Sequence, residues 1–198
     1  MITYKRGHAP DLRKLQHTKP DDKTRQYTTA DCRNNVLAAL VTQAVPKKGR
    51  ILLLDGSIPR TTIAIQRVAP EITVVSANMD PDTVLIHRTF GIAAIHTSTV
   101  MQYQRDRTGD AMAAANYMAS QGDTYEAYYF DNWGTFTDAQ ARVLTTLATL
   151  ATTRLIAITF CTRNGLGRAP ATPKGYYIAH NGHRGNMKWV YFVRSTCA

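Results

Sequence analysis

Two aspartates directly end apolar runs and are the residues best placed to do chemistry. Asp55 follows Ile51-Leu52-Leu53-Leu54, and Asp131 follows a run that ends in Tyr129-Phe130. A carboxylate at the end of a buried segment must be solvated, paired or bound to a ligand, because burying an unpaired charge is costly. It accepts hydrogen bonds from an amine or a hydroxyl, or takes up a proton in acid–base catalysis. Asp55 and Asp131 are therefore the first candidates for a ligand site.

Polar or small residues follow each of the apolar runs. Besides the two aspartates, the candidate site residues at these positions are Gly56, Ser57, Ser76, Asn78, Thr97, Ser98, Asn132 and Trp133. In open α/β sheets, ligands bind beyond the carboxyl ends of the strands, near the point where the strand order reverses. Strand ends are also polar wherever they meet water, so the pattern alone leaves both interpretations open.

Gly56 allows the chain to turn sharply and to approach a ligand closely. The residues that follow are Ser57, Ile58 and Pro59, so the Gly-x-Gly-x-x-Gly pattern of dinucleotide sites is absent from this position. That pattern supplies the bare backbone on which a pyrophosphate rests. The sequence therefore favours a polar small molecule over a dinucleotide as the ligand of this loop.

Alternating strand and helix patterns position these residues. A helix is predicted from Thr29 or Asp31 to about Val45, where Pro46 stops it. Apolar runs predict strands at 51–54, 72–75, 92–95, 125–130 and 155–160, and helical patterns occur at 61–69, 81–90, 111–119 and 138–152. Two last strands, 176–179 and 189–193, are joined by a polar turn at 181–185.

This order predicts an α/β, Rossmann-like fold. The expected architecture is a mostly parallel seven-stranded sheet with helices on both faces and a C-terminal antiparallel hairpin. Residues 29–198 are predicted to form the single domain, and residues 1–28 a basic N-terminal arm in which Pro10 and Pro20 act as breakers. A domain of this size can bury one core without a disulfide or a metal.

Positive charge is concentrated at the two ends of the chain. The formal net charge is +10; residues 1–50 carry +7, residues 51–150 carry −4, and residues 151–198 carry +7 without a single acid. Basic segments of this kind usually meet phosphates, so nucleic acid is the expected partner. A solvated basic surface that aids solubility is the alternative.

The cysteines and histidines do not predict a metal site. Cys32, Cys161 and Cys197 form no Cys-x-x-Cys pair, and His180 and His183 lie in a predicted turn without further ligands. Cys161 ends the fifth strand but lacks the neighbouring proline of a Pro-Cys nucleophile.

No run approaches the roughly 18 apolar residues of a membrane span. An odd cysteine count favours a reducing compartment, so we expect an intracellular, cytoplasmic protein.

The order of the strand-end motifs over residues 29–194 resembles that of the class I S-adenosylmethionine (SAM)-dependent methyltransferases. The resemblance implies that Asp55-Gly56-Ser57 cradles the methionine part of SAM, that Ser76 and Asn78 lie near its ribose, and that Thr97-Ser98 flanks its adenine. This chain departs from the family in two respects. The second and third glycines of the loop are missing, and no acid directly follows the second strand.

On the acceptor side, Asp131-Asn132-Trp133 resembles the Asp-centred catalytic motif that follows the fourth strand of this family. The resemblance implies that Asp131 orients the acceptor or removes its proton, and that Trp133 stacks on a base. It also implies that Tyr27 lies in a segment that covers the cofactor. The basic ends favour RNA as the substrate. Asp131 and Lys174 match two places of the four-residue Lys-Asp-Lys-Glu set of ribose 2′-O enzymes, but no glutamate follows Glu126 to fill the last place. The acceptor atom therefore stays open.

Other functions remain open at this stage. The loop with its single glycine and the basic ends of the chain also suit a non-catalytic nucleic-acid-binding protein on a degenerate Rossmann scaffold. The segment 131–135 is faintly similar to the Asp-x-Asp-x-Thr loop of haloacid dehalogenase-like phosphatases, but Trp133 replaces the second aspartate and with it a magnesium ligand. Asp131 alternatively caps the turn at Gly134 and Thr135, and Trp133 alternatively anchors its own loop.

Overall fold

Helices and strands alternate along the chain, as the sequence pattern predicts. The computed structural model describes residues 24–56, 58–97, 111–131, 134–162 and 168–195, with the backbone alone over 24–32 and at 111. In chain order the elements are α1 (Thr24–Ala44), β1 (Arg50–Leu53), α2 (Arg60–Val68), β2 (Thr73–Asn78), α3 (Pro81–Thr89), β3 (Ala93–His96), α4 (Ala111–Ser120), β4 (Ala127–Asp131), α5 (Asp138–Thr149), β5 (Leu155–Cys161), β6 (Tyr176–Arg184) and β7 (Met187–Arg194). None of these helices is long and apolar enough to cross a lipid bilayer.

The strands of the described chain form one seven-stranded sheet in the order β3-β2-β1-β4-β5-β7-β6. The strands from β3 to β5 are parallel, whereas β7 runs antiparallel to β5 and β6 antiparallel to β7. The inner parallel strands are covered on both faces, which is why they are continuous apolar runs; all seven residues of β5 are buried. The predicted fold class is confirmed.

The two faces of the sheet carry separate apolar cores, because successive side chains of a strand point to opposite faces. On one face, α1 and α2 pack against alternate strand residues, with Leu37, Ile51, Leu53, Ile65 and Tyr129 in the cluster. On the other face, α4 and α5 contribute Met112, Leu144 and Leu147, which join Leu52, Tyr128 and Phe130. We call the first of these the α1 face.

The first helix begins earlier than the sequence pattern predicts. It starts at Thr24 rather than at Thr29 or Asp31, so the last residues assigned to the basic arm are helical. No glycine or proline occurs between Pro20 and Pro46, and nothing in that stretch therefore interrupts a helix. Residues 1–23, which make up most of the predicted arm, lie outside the described part of the chain.

The C-terminal hairpin turns four residues later than the start of the predicted turn. β6 continues to Arg184, which pairs with Met187, and the chain reverses at Gly185 and Asn186. Gly185 has a φ of 53°, the left-handed conformation that two-residue hairpin turns require. The polar residues at 181–184 are thus strand residues of the sheet edge, where polar side chains meet solvent.

Candidate functional site

The two strand-end aspartates lie side by side at the point where the strand order reverses. From β1 the chain proceeds to β2 and β3 on one side, whereas β4 and β5 lie on the other. Leu53 of β1 pairs with Tyr129 of β4, so Asp55 and Asp131 each lie two residues beyond the same pair. This is the edge at which open α/β sheets bind ligands. The structure thus places next to each other the two residues that the sequence assigns to one site, and their role in ligand binding stays a prediction.

Asp55 is buried and held at the start of α2. Its Oδ2 accepts hydrogen bonds from the backbone N–H of Thr62, at 2.9 Å, and from the hydroxyl of Thr62, at 3.1 Å. Burial raises the pKa of Asp55 to about 6, although these hydrogen bonds act in the opposite direction. Buried carboxylates with displaced pKa values concentrate at functional sites. The structure thus places Asp55 beneath the loop, as an anchor of α2.

A stability measurement tests this environment of Asp55. Because its folded pKa lies above the ordinary 3.8, the neutral form stabilises the fold fully below pH 3.8, and that contribution is lost as pH rises through 6. Asp55→Asn keeps an acceptor for Thr62 but cannot ionise. We expect its unfolding free energy, relative to the wild type, to rise by about 3 kcal/mol between pH 4 and pH 8. Urea unfolding of both proteins measures it, and parallel pH profiles would contradict it.

Two side chains hold the carbonyl groups of the loop after β1. Asn78 donates through Nδ2 to the carbonyl oxygen of Asp55 at 2.9 Å, and its Oδ1 accepts the backbone N–H of Asp80 at 2.9 Å. His87 lies 2.8 Å through Nε2 from the carbonyl oxygen of Gly56. The peptide bond between Asp55 and Gly56 is trans, so the N–H of Gly56 points away from Asn78. The loop backbone is therefore oriented by side chains of β2 and α3.

His87 is fully buried and was not identified from the sequence. Its Nδ1 lies 2.8 Å from the hydroxyl of Ser76, and burial lowers its pKa. A carbonyl only accepts, so Nε2 carries the proton and donates to Gly56, while Nδ1 accepts from Ser76. The available sequence signal is its spacing: His87 lies three and four residues after the buried Val84 and Thr83, on the same face of α3.

Ser76 and Asn78, predicted to lie near the ribose of the cofactor, are buried and engaged in this support of the loop. Their direct contact with a cofactor stays a prediction. Asp80, the nearest acid after β2, accepts hydrogen bonds from Asp82 and Thr83 and caps α3. In class I SAM-dependent methyltransferases an acid normally follows the second strand. Among the described residues, the buried part of this site has no counterpart of that acid.

Thr97, predicted to lie beside the adenine, directly follows β3. It is 1% exposed, and its hydroxyl has no hydrogen-bond partner among the described residues. A buried hydroxyl without a partner is costly, so such a group is expected to meet a ligand or water. Its neighbour Ser98 lies outside the described residues, as do Ser57, Asn132 and Trp133, and the side chain of Tyr27 is likewise not described.

Asp131 faces α1 and β5. Its Oδ1 accepts a hydrogen bond from the hydroxyl of Thr159, and Oδ2 lies 3.7 Å from the guanidinium of Arg33. The side chain of Asp131 is 31% exposed and that of Arg33 is 15% exposed. A carboxylate held at both oxygens yet open to solvent has a defined direction and can still meet a substrate.

Arg33 and Tyr129 complete this corner of the site, and sequence reasoning missed both. Arg33 precedes the buried Leu37 and Val41 of α1 by four and eight residues, a spacing that places it on the sheet-facing side. The hydroxyl of Tyr129 is buried and has no partner within the described residues. Burial raises the pKa of Tyr129 well above its usual value, so the phenol keeps its proton.

Other candidates do not join the site. Cys161 is buried at the end of β5, where its sulfur contacts that of Met187. Lys174 lies in the segment before β6, on the far side of the sheet from β1. Within the described ranges, no group of three or more His, Cys, Asp or Glu residues converges as a metal site requires.

Comparison with known proteins shows the fold. The sequence matches no protein-family profile and no curated protein sequence. Among solved structures, it is similar to yhhF from Escherichia coli, described as a candidate methyltransferase (TM-score 0.52, 15% identity, 89% of this chain and 87% of that one). It is also similar to a candidate methylase from Haemophilus influenzae (0.53, 11%, 82% and 88%) and to MtNAS in complex with MTA and tNA (0.51, 14%, 93% and 68%). With its strand order, the chain has the Rossmann-like α/β fold that these structures share.

Proposed function

We propose that the protein is a SAM-dependent methyltransferase that acts on nucleic acid, with RNA as the favoured substrate. The observation that carries the proposal is the pairing of a side-chain-held loop after β1 with a fixed, partly exposed Asp131 on the adjacent strand. The two elements flank the point where the strand order reverses. This is the arrangement that brings a cofactor and an acceptor to the same edge of the sheet.

The residues present fit SAM on the cofactor side. A Cβ added to Gly56 would meet no atom of the described residues within 4 Å. The N–H of Gly56, directed away from Asn78, offers a donor to the carboxylate of the methionine part. The hydroxyl of Thr97, which has no partner in the described part of the chain, offers a hydrogen bond to the adenine. When bound, SAM would supply a sulfonium methyl group. The loop after β1 and Thr97 would hold the cofactor, while His87 and Asn78 keep the loop in position.

On the acceptor side, Asp131 orients the nucleophile. Thr159 and Arg33 restrict its carboxylate to one direction, so an acceptor hydroxyl or amine that donates to it is held at a defined angle to the methyl group. Methyl transfer is an in-line displacement whose rate depends mainly on this geometry. The acid-free segment 151–198 and the basic residues 1–50 supply the charge that attracts a polyanionic substrate.

A second candidate function is nucleic-acid binding without catalysis. The observation that favours it is the loop after β1, which has one glycine where the resembling family has three. Both functions predict retention on a polyanion that weakens steeply with salt, because phosphate contacts release counterions. Only the methyltransferase also binds SAM. Calorimetric titration with SAM therefore tests the proposal and separates the two functions.

A further inference from the structure

A row of directly paired residues leads from Asp131 to the edge of the sheet. Asp131 pairs with Thr159 of β5, Thr159 pairs with Trp189 of β7, and Trp189 pairs with Gly182 of β6. Directly paired residues project to the same face of a sheet. Trp189 packs against the α1-face core, so the whole row lies on that face. The candidate catalytic carboxylate and a tryptophan thus share one line across three strands.

The ring of Trp189 is fixed across the outer strand. A Cβ on Gly182 would lie 2.5–2.9 Å from three atoms of the indole, so the absence of a side chain at this position makes room for the ring. The indole Nε1–H donates to Nε2 of His180 at 3.1 Å, and the two rings are stacked at 6.5 Å with an interplanar angle of 28°. His180 and the half-buried Trp189 therefore form a rigid aromatic surface on the edge strands.

Arg33 connects this aromatic surface to Asp131. Its guanidinium lies 3.7 Å from the carboxylate of Asp131 and 6.0 Å from the centre of the Trp189 ring. With strands about 4.8 Å apart, the backbones of Asp131 and Trp189 are about 10 Å apart. Three stacked bases cover that span at about 3.4 Å each. A single RNA strand with one base stacked on Trp189 therefore reaches Asp131 within a few nucleotides.

Charge and chemistry select the occupant of this surface. Arg33 lies beside the Trp189 ring, and Arg184 projects to the same face of β6 as Gly182, two residues earlier. Aromatic side chains beside positive charge are the pattern by which proteins bind single-stranded nucleic acid, because bases stack on the rings while the phosphates meet the cations. Paired bases in a duplex are stacked on each other and do not offer a free face.

We infer that the surface formed by Trp189, His180 and Arg33 binds single-stranded RNA by base stacking and delivers one nucleotide to Asp131. The inference rests on the proposed function, because it assigns the substrate side of the same site. It makes Trp189 a determinant of substrate affinity, and it leaves the SAM side of the site, at β1 and β2, independent of Trp189.

The experiment is a fluorescence-anisotropy titration of a labelled single-stranded RNA of about ten nucleotides with the full chain. Trp189→Ala is expected to weaken binding at least about fivefold, the lower end of one base–aromatic stack. Trp189→Phe, which keeps an aromatic face, is expected to stay within about threefold of the wild type. His183→Ala is the matched control, because His183 pairs with Lys188 on the opposite face of the same hairpin.

Salt dependence and SAM binding separate the outcomes. Loss of a stacking interaction lowers the affinity by the same factor at all salt concentrations. Plots of log affinity against log salt concentration are therefore expected to be parallel for the wild type and Trp189→Ala. Unchanged binding in Trp189→Ala, or an equal loss in His183→Ala, would overturn the inference, as would a wild type that prefers the duplex. Calorimetry with SAM on the same variants is expected to give the wild-type affinity. Absence of SAM binding to the wild type would defeat the proposed function, independently of the stacking result.

Discussion

We expect Asp131→Asn to lower the rate of methyl transfer by at least about 100-fold and to leave the fold and SAM binding intact. Asparagine has the size of aspartate and keeps an oxygen for the hydroxyl of Thr159, but it loses the negative charge beside Arg33 and one acceptor for the substrate. Removing a group that positions or deprotonates an acceptor typically lowers the rate by about 10²- to 10⁴-fold. Transfer of a labelled methyl group from SAM to RNA measures the effect.

The chain offers a matched control for this substitution. Asp123 also pairs with an arginine, with its Oδ1 2.8 Å from Arg50, but it precedes β4 and so lies at the opposite edge of the sheet. Asp123→Asn removes the same charge from a surface ion pair, and such pairs contribute little. We expect it to keep the wild-type rate. Full activity of Asp131→Asn would show instead that Asp131 only supports the local structure.

Substitutions of His87 separate the support of the loop from the stability of the core. In His87→Gln, the amide nitrogen takes the place of Nε2 and donates to the carbonyl of Gly56. In His87→Asn, the shorter side chain reaches Ser76 but leaves that carbonyl without its donor. An unsatisfied buried group costs about 1–3 kcal/mol, so we expect SAM to bind about tenfold or more weakly to His87→Asn and within about threefold of the wild type to His87→Gln.

Each variant keeps one of the two hydrogen bonds of His87, so the pair separates the bond to Gly56 from the bond to Ser76. Calorimetry measures the dissociation constant of SAM, and urea unfolding measures the stability of each variant. Loss of stability alone would shift unfolding in both variants and leave the dissociation constant unchanged once the protein is folded. Equal dissociation constants for the wild type, His87→Gln and His87→Asn would therefore show that His87 does not position the loop.

Much of the fold follows from local patterns in the sequence. The apolar runs that end at Asp55 and Asp131 are buried parallel strands, because such strands are covered on both faces and need no alternation. Pro81 begins α3, as its fixed φ favours. The predicted start of α1 was wrong because Thr29 and Asp31 suit a helix cap, whereas the helix begins at Thr24, in a stretch without breakers after Pro20.

The detailed chemistry of the site does not follow from local patterns. His87 contacts Ser76 and Gly56, which lie 11 and 31 residues earlier, and Asp131 pairs with Arg33, 98 residues earlier in sequence. These contacts depend on the strand order. Sequence reasoning placed Ser76 and Asn78 at the correct edge of the sheet, but only the geometry shows them buried under the loop rather than open to it.

Calorimetric titration of the wild-type chain with SAM tests the central claim most directly. We expect one SAM to bind per chain with a dissociation constant below about 1 mM, the upper end of ordinary enzyme–substrate affinities, and NAD to give no heat under the same conditions because the loop lacks the dinucleotide pattern. Absence of SAM binding up to millimolar ligand would contradict the account and leave nucleic-acid binding without catalysis as the function of this fold.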